Sequence, residues 1–210
     1  MRKLGVPGYD MAPHFAVDGD VTAPGGLGVV GEFRTLKRLA PGRHLKVALP
    51  GPVTFAGFMT IGRHDAGKTI DALIGIVRDE LEGLPAEGAG YVQLAGPGLP
   101  QAPLGLSLDD CVDVINRTLA GFAFRRGVHV CFGNNAGRPM ADRDIVRLMP
   151  GLVALKADEV SLELANREMA QLEPIGALAS RFDVGIGVLD VKNFHIETPR
   201  KIAERIAQCL

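Results

Sequence analysis

The sequence predicts an α/β fold with a parallel sheet. Three observations carry this. Short apolar runs alternate with helical patterns five times along the chain, and the earlier runs are closed by clusters of Gly, Pro or Asn. The 210 residues are also 47% hydrophobic, enough to bury a core. Parallel strands joined by helices require right-handed crossovers, which leaves two arrangements: an open doubly wound sheet or part of a barrel. In both, chemistry gathers at the C-terminal ends of the strands.

The elements follow in order within one domain spanning residues 1–210. Residues 1–28 are rich in Gly, Pro and Asp, lack periodicity, and form an irregular N-terminal segment. A short helix is expected over Val29–Arg38, ending before Pro41-Gly42. His44–Leu49 reads as the first strand of the repeating series, stopped by Pro50-Gly51-Pro52. Ile70–Leu84 carries Leu73, Ile74, Ile76, Val77 and Leu81 at a helical spacing, with charges on the other face. Tyr91–Leu94 is the next strand and Leu106–Phe124 the next helix; Ser107 is its N-cap, with Asp109 and Asp110 in its first turn, where the helix dipole favours acids. Val128–Phe132 is a strand, followed by a helix near Asp142–Met149. Glu159–Leu164 leads to a helix over Arg167–Ser180, Val184–Val191 is the fifth strand, and Thr198 opens the last helix.

Composition excludes several functions. Lys and Arg total 23 against 24 acids, giving a net charge of −1, and the basic residues are scattered. Neither nucleic acid nor an anionic membrane surface is expected as a partner. No apolar run approaches the roughly 18 residues of a membrane span, and the start Met1-Arg2-Lys3 leads into too short an apolar stretch for a signal peptide. The expected location is cytoplasmic. Cys111, Cys131 and Cys209 do not form a disulfide framework, which leaves a metal or catalytic role open for one of them. Gly25-Gly26-Leu27-Gly28 reads as a flexible turn, and no phosphate-binding motif is present.

The best local chemical signal is His129-Val130-Cys131. Residues i and i+2 of a strand share a face, so imidazole and thiolate point the same way. Zinc accepts both donors readily. The plainer reading is a core histidine beside a buried cysteine. Glu163 is the second signal, an acid inside the apolar run Val160-Ser161-Leu162-Glu163-Leu164. A carboxylate there needs a partner, either a metal or a rim cation such as Arg167.

These residues, together with Leu49-Pro50-Gly51-Pro52-Val53-Thr54, Gly133-Asn134-Asn135 and Gly185-Ile186-Gly187-Val188-Leu189-Asp190-Val191, resemble the cobalamin-independent methionine synthase family, and more closely its short single-barrel relatives. The resemblance runs in order from about Leu45 to the C-terminus. It implies a TIM-type (β/α) barrel, incomplete here, with about five to six of the eight βα units recognisable. It also implies a Zn²⁺ held by His129, Cys131 and Glu163, which activates a small-molecule thiol to take a methyl group from a donor. The implied activity is homocysteine S-methyltransfer in methionine biosynthesis, or transfer by a relative that uses another thiol or donor; an inactive barrel remnant is the alternative. His195 is the implied acid for the transfer step. Gln93 and Asn134 are candidate substrate contacts, Asn134 being equally suited to cap the next helix.

Two departures from the family stand out. Its strand end Gln-x-Asp-Glu-Pro, whose Asp helps hold the amino group of homocysteine, corresponds here to Gln93-Leu94-Ala95-Gly96-Pro97, without carboxylates. The family's second zinc cysteine has no match before Leu210; Cys209 is the available thiol, although a packing cysteine is the simpler reading. An incomplete barrel leaves sheet edges to cover, so a homo-oligomer is a possible state.

Overall fold

A computed structural model describes residues 14–96, 98–133, 139–191, 193 and 195–210. The elements in chain order are β1 (Phe15–Ala16), α1 (Val29–Leu39), β2 (Val47–Pro50), α2 (Pro52–Ala56), β3 (Met59–Thr60), α3 (Ala66–Gly83), β4 (Tyr91–Ala95), α4 (Gly98–Gln101), α5 (Leu108–Leu119), β5 (Arg125–Val130), α6 (Ile145–Ala154), β6 (Glu159–Glu163), α7 (Leu172–Gly176), β7 (Asp183–Gly187) and α8 (Pro199–Cys209).

The main sheet has five parallel strands in the order β2-β4-β5-β6-β7, while β1 and β3 pair separately. Strand order follows chain order without a reversal. A doubly wound sheet reverses at its switch point. Constant-handed crossovers on an unreversed sheet put every helix on the same side. Accordingly α3 packs on α5, α5 on α6 and α6 on α7. The sheet is an arc of an α/β barrel, with helices outside and one face open.

Alternation along the strands separates the two faces. Val47 and Leu49, Val92 and Leu94, Val128 and Val130, and Val160 and Leu162 are buried and form the core with the helices. Each such side chain contributes about 1.5–3 kcal/mol on burial. The intervening residues, including Ala48, Gln93, Gly127, His129, Ser161, Glu163 and Gly185, occupy the open face.

Several elements depart from the sequence-based expectation, each for a local reason. Helix α3 begins four residues early, because the Asp65 side chain caps it by accepting from Lys68 N at 2.8 Å. Helix α6 begins later, capped by Asp144. The helix expected over Arg167–Ser180 is broken into short turns around α7: Glu168, Met169 and Gln171 have φ of 50°, 62° and 63°, which a helix does not admit. Strand β7 stops at Gly187, and the residues beyond it, Leu189 and Val191, are exposed. Helix α2 falls where Pro50-Gly51-Pro52 predicts only a stop; Pro52 stands in its first turn, where a missing N–H costs nothing.

Two long-range devices set the frame around the strand ends. Helix α1 has glycine at its N-cap, and the buried Glu80 of α3 supplies the cap instead, accepting from the backbone N–H groups of Gly28 at 3.1 Å and Val30 at 3.2 Å and also from Leu27. After β4 the chain passes against α2. A Cβ at Gly98 would lie 2.6 Å from both Val53 C and Thr54 N, so only glycine permits this approach. No helix among the described residues is long and apolar enough to cross a membrane.

Candidate active site

The C-terminal ends of β5 and β6 carry the sequence-predicted donors. The register pairs His129 with Ser161 and Val130 with Leu162. Glu163 lies two residues beyond Ser161, and therefore on the same open face as His129 and one step further along. Strand β5 ends at Val130, one residue short of Cys131. The alternation nonetheless continues: Val130 and Phe132 are buried, while Cys131 between them is half-buried. Phe132 N donates to Glu163 Oε1 at 3.2 Å, which holds the carboxylate beside the backbone that follows Cys131. Register and hydrogen bonding thus bring the two strand ends and their three candidate donors into one neighbourhood. Among the described residues, no three His, Cys, Asp or Glu side chains stand close enough together to hold a metal ion as they are oriented.

The remaining candidates are spread more widely. Gln93 is buried on β4, between Ala48 of β2 and Gly127 of β5 in register. His195 is exposed on the segment between β7 and α8, with its backbone N–H donating to Asn193 Oδ1 at 3.0 Å. That segment is tied down by the buried Arg205 of α8, which pairs with Glu197 and donates to Val188 O at 2.8 Å. Asn134 lies outside the described residues. Cys209 does not belong to the open face. It sits in the last turn of α8, donates through Sγ to Arg205 O at 3.1 Å, and lines a space with Ile175 and Phe182. The carboxylate-free strand end is tightly packed: Thr54 Oγ1 donates to Ala95 O at 3.1 Å, and a Cβ at Gly96 would stand 2.4 Å from Thr54 Oγ1.

The open face also carries a charged layer that sequence reasoning missed. Arg125, Glu159 and Asp183 are the first residues of three successive strands. Lys46 contacts Glu159 at 3.3 Å and Arg125 contacts it at 3.2 Å, Asp183 pairs with Arg125, and Ser161 Oγ donates to Glu159 at 2.9 Å. Burial on its own would raise the Glu159 carboxyl. The Tyr91 hydroxyl, the hydrogen bonds of Ser161 and Arg125 and the charge of Lys46 outweigh it and hold the group at about 2. The available signal was positional, with a charge at the start of consecutive strands. Cys111 has the opposite setting: burial first, then the charge of Asp110, pushes its thiol up to about 12.

The family model described as "Cobalamin-independent synthase, Catalytic domain" matches residues 11–210. The methionine synthase of Thermococcus kodakarensis is 28% identical over 183 residues, covering 87% of this chain and 51% of its own length. That of Pyrococcus furiosus is 29% identical over 179 residues, covering 85% and 49%. The chain spans about half the length of these curated relatives. Among solved structures, a B12-independent methionine synthase from Shewanella sp. W3-18-1, in complex with selenomethionine, superposes with a TM-score of 0.78 at 22% identity, over 92% of this chain and 58% of that one. A putative vitamin-B12 independent methionine synthase from Listeria monocytogenes gives a TM-score of 0.61 at 16% identity, over 92% and 61%. With residues 11–210 matched, this chain belongs to the cobalamin-independent synthase catalytic-domain family.

Proposed function

We propose that this chain carries the thiol-activating part of a zinc-dependent methyltransferase, with His129, Cys131 and Glu163 as zinc ligands. The observation that supports the reading best is the placement of His129 and Glu163 on one open face of adjacent strands, with Cys131 directly beyond the end of β5. The donor set suits the ion: imidazole nitrogen, thiolate and carboxylate are its ordinary ligands. The Phe132 N–H presently engages Glu163, so the carboxylate must turn partly away from that hydrogen bond to complete the set.

When bound, zinc favours the thiolate form of a coordinated thiol at neutral pH. The residues of this chain supply position. His129 and Glu163 project from strands fixed on their other face by Val128, Val130, Val160 and Leu162, so the site rests on rigid elements. Gln93, buried on the open face, is the residue proposed to hydrogen-bond a polar group of the substrate. His195, on the segment anchored by Arg205, is the proton donor proposed for the methyl donor's leaving atom. In the transfer itself, a sulfur lone pair forms the new S–C bond. The C–donor bond breaks with its electron pair going to the donor, and the proton of the thiol is released to solvent.

The packing at Ala95 and Gly96 favours a relative with altered acceptor recognition, because Thr54 occupies the space a side chain at position 96 needs. The test is methyl transfer measured with homocysteine and with 3-mercaptopropionate, each offered methyltetrahydrofolate and methylcobalamin. Thioether formation that falls at least about a hundredfold in Cys131→Ser supports the proposal. No product from any pairing contradicts it and leaves the inactive-remnant reading.

A further inference from the structure

A second cavity lies at the opposite end of the sheet. The second half of α1 and the N-terminal ends of β2, β4 and β5 border a half-open cleft of about 700 Å³, lined by Lys37, Arg43, His44, Lys46, Tyr91 and Arg125 among others. That volume is of ligand size. Four of these residues carry a fixed positive charge, and no carboxylate is among the lining residues.

The nearby acids cancel only part of this charge. Glu159 contacts Lys46 and Arg125, and Asp183 contacts Arg125. The Glu87 carboxylate is taken by Arg34 at 2.8 Å, whereas Lys37 Nζ donates to the neutral Glu87 carbonyl. The Lys37 charge also acts on that carboxylate, but among the described residues its ammonium forms no ion pair with a carboxylate oxygen. Arg43 and His44 are exposed, and among the described residues no hydrogen bond or ion pair engages their side chains. Lys46 and Arg125 both lie over the Tyr91 ring, at 4.4 and 5.4 Å from its centroid, so cations rather than an open aromatic face meet whatever enters.

We infer that this cavity binds a small anion carrying phosphate groups, held chiefly by Lys37 and Arg43 with Lys46 and Arg125 behind them. The guanidinium fork and the ammonium point charges match phosphate oxygens, and such pairs are the stronger class of hydrogen bond. The inference does not rest on the proposed methyl transfer, because the cavity is at the other end of the strands from Glu163.

The chain has no Trp and only two Tyr, so in a Tyr9→Phe background the emission of Tyr91 reports on this cavity alone. The experiment titrates the full chain with inorganic pyrophosphate at low salt, following Tyr91 emission and heat of binding. The expected result is saturable binding that weakens with added salt. The double variant Lys37→Ala, Arg43→Ala should weaken it by about tenfold or more with an unchanged melting temperature, while Cys131→Ser should leave it intact. Absence of binding at millimolar pyrophosphate overturns the inference. So does binding that survives in the double variant, or binding that disappears in Cys131→Ser, which would place the anion at the other end of the sheet.

Discussion

The backbone N–H of Phe132 donates to the Glu163 carboxylate at 3.2 Å, linking the residue after Cys131 to the acid on the neighbouring strand. One contact thus couples the two strand ends on which the proposed zinc chemistry depends. Glu163→Gln keeps an oxygen to accept that N–H but removes the charge. It should leave the stability to urea within about 1 kcal/mol of the parent while weakening zinc binding at least about tenfold in a chelator competition. Equal zinc affinity in the two proteins would remove Glu163 from the ligand set.

The three cysteines should separate by reactivity. Cys111 is fully buried, and its thiol is pushed up to about 12, so it has almost no thiolate at neutral pH. Cys131 and Cys209 are half-buried. Alkylation followed by peptide mapping should label those two in the native protein and Cys111 only after unfolding. Added zinc should slow labelling at Cys131 and leave Cys209 unchanged.

Stability should fall in acid through Glu159. Its carboxyl is held at about 2, against 4.5 without the protein environment. A depressed folded-state value contributes stability that is complete above the unfolded value and is lost as pH falls toward 2. Melting temperatures from pH 6 downward should therefore decline less steeply in Glu159→Gln than in the parent between about pH 5 and pH 2. Parallel declines would show that other carboxylates govern the acid limb.

Two substitutions probe the frame. Gly98→Ala sets a methyl group against the backbone of Val53 and Thr54, at a closest distance of 2.6 Å, and should cost about 2 kcal/mol or more in urea unfolding. Glu80→Ala leaves the N–H groups of Leu27, Gly28 and Val30 without their acceptor in a part-buried position, and a loss of about 2–4 kcal/mol is expected. Values near zero for either would mean that the surrounding chain relaxes freely.

Alternation was enough to find the five main strands and to put Ser161 and Glu163 on one face of their strand, because both depend on residues close in sequence; that His129 shares this face follows from the pairing of β5 with β6. Periodicity alone left open the choice between an open sheet and a barrel arc, since it turns on strand order; the family resemblance supplied the barrel, and β4 indeed lies between β2 and β5 without a reversal. The Glu80 cap and the Lys46–Glu159 contact join residues 50 and 113 positions apart, respectively, and nothing local announces them. Apolar spacing over Arg167–Ser180 looks continuous, but left-handed backbone at Glu168, Met169 and Gln171 interrupts it. Of the site residues read from sequence, Cys131 falls just past its strand, His195 lies on an exposed segment, and Asn134 is outside the described residues.

His129, Cys131 and Glu163 are proposed to hold zinc. The most direct measurement is zinc content by elemental analysis of the purified chain, alongside Cys131→Ser and Cys209→Ser. The prediction is near one zinc per chain, lost in Cys131→Ser and retained in Cys209→Ser. No zinc after equilibration with excess metal, or equal zinc in all three proteins, would contradict it.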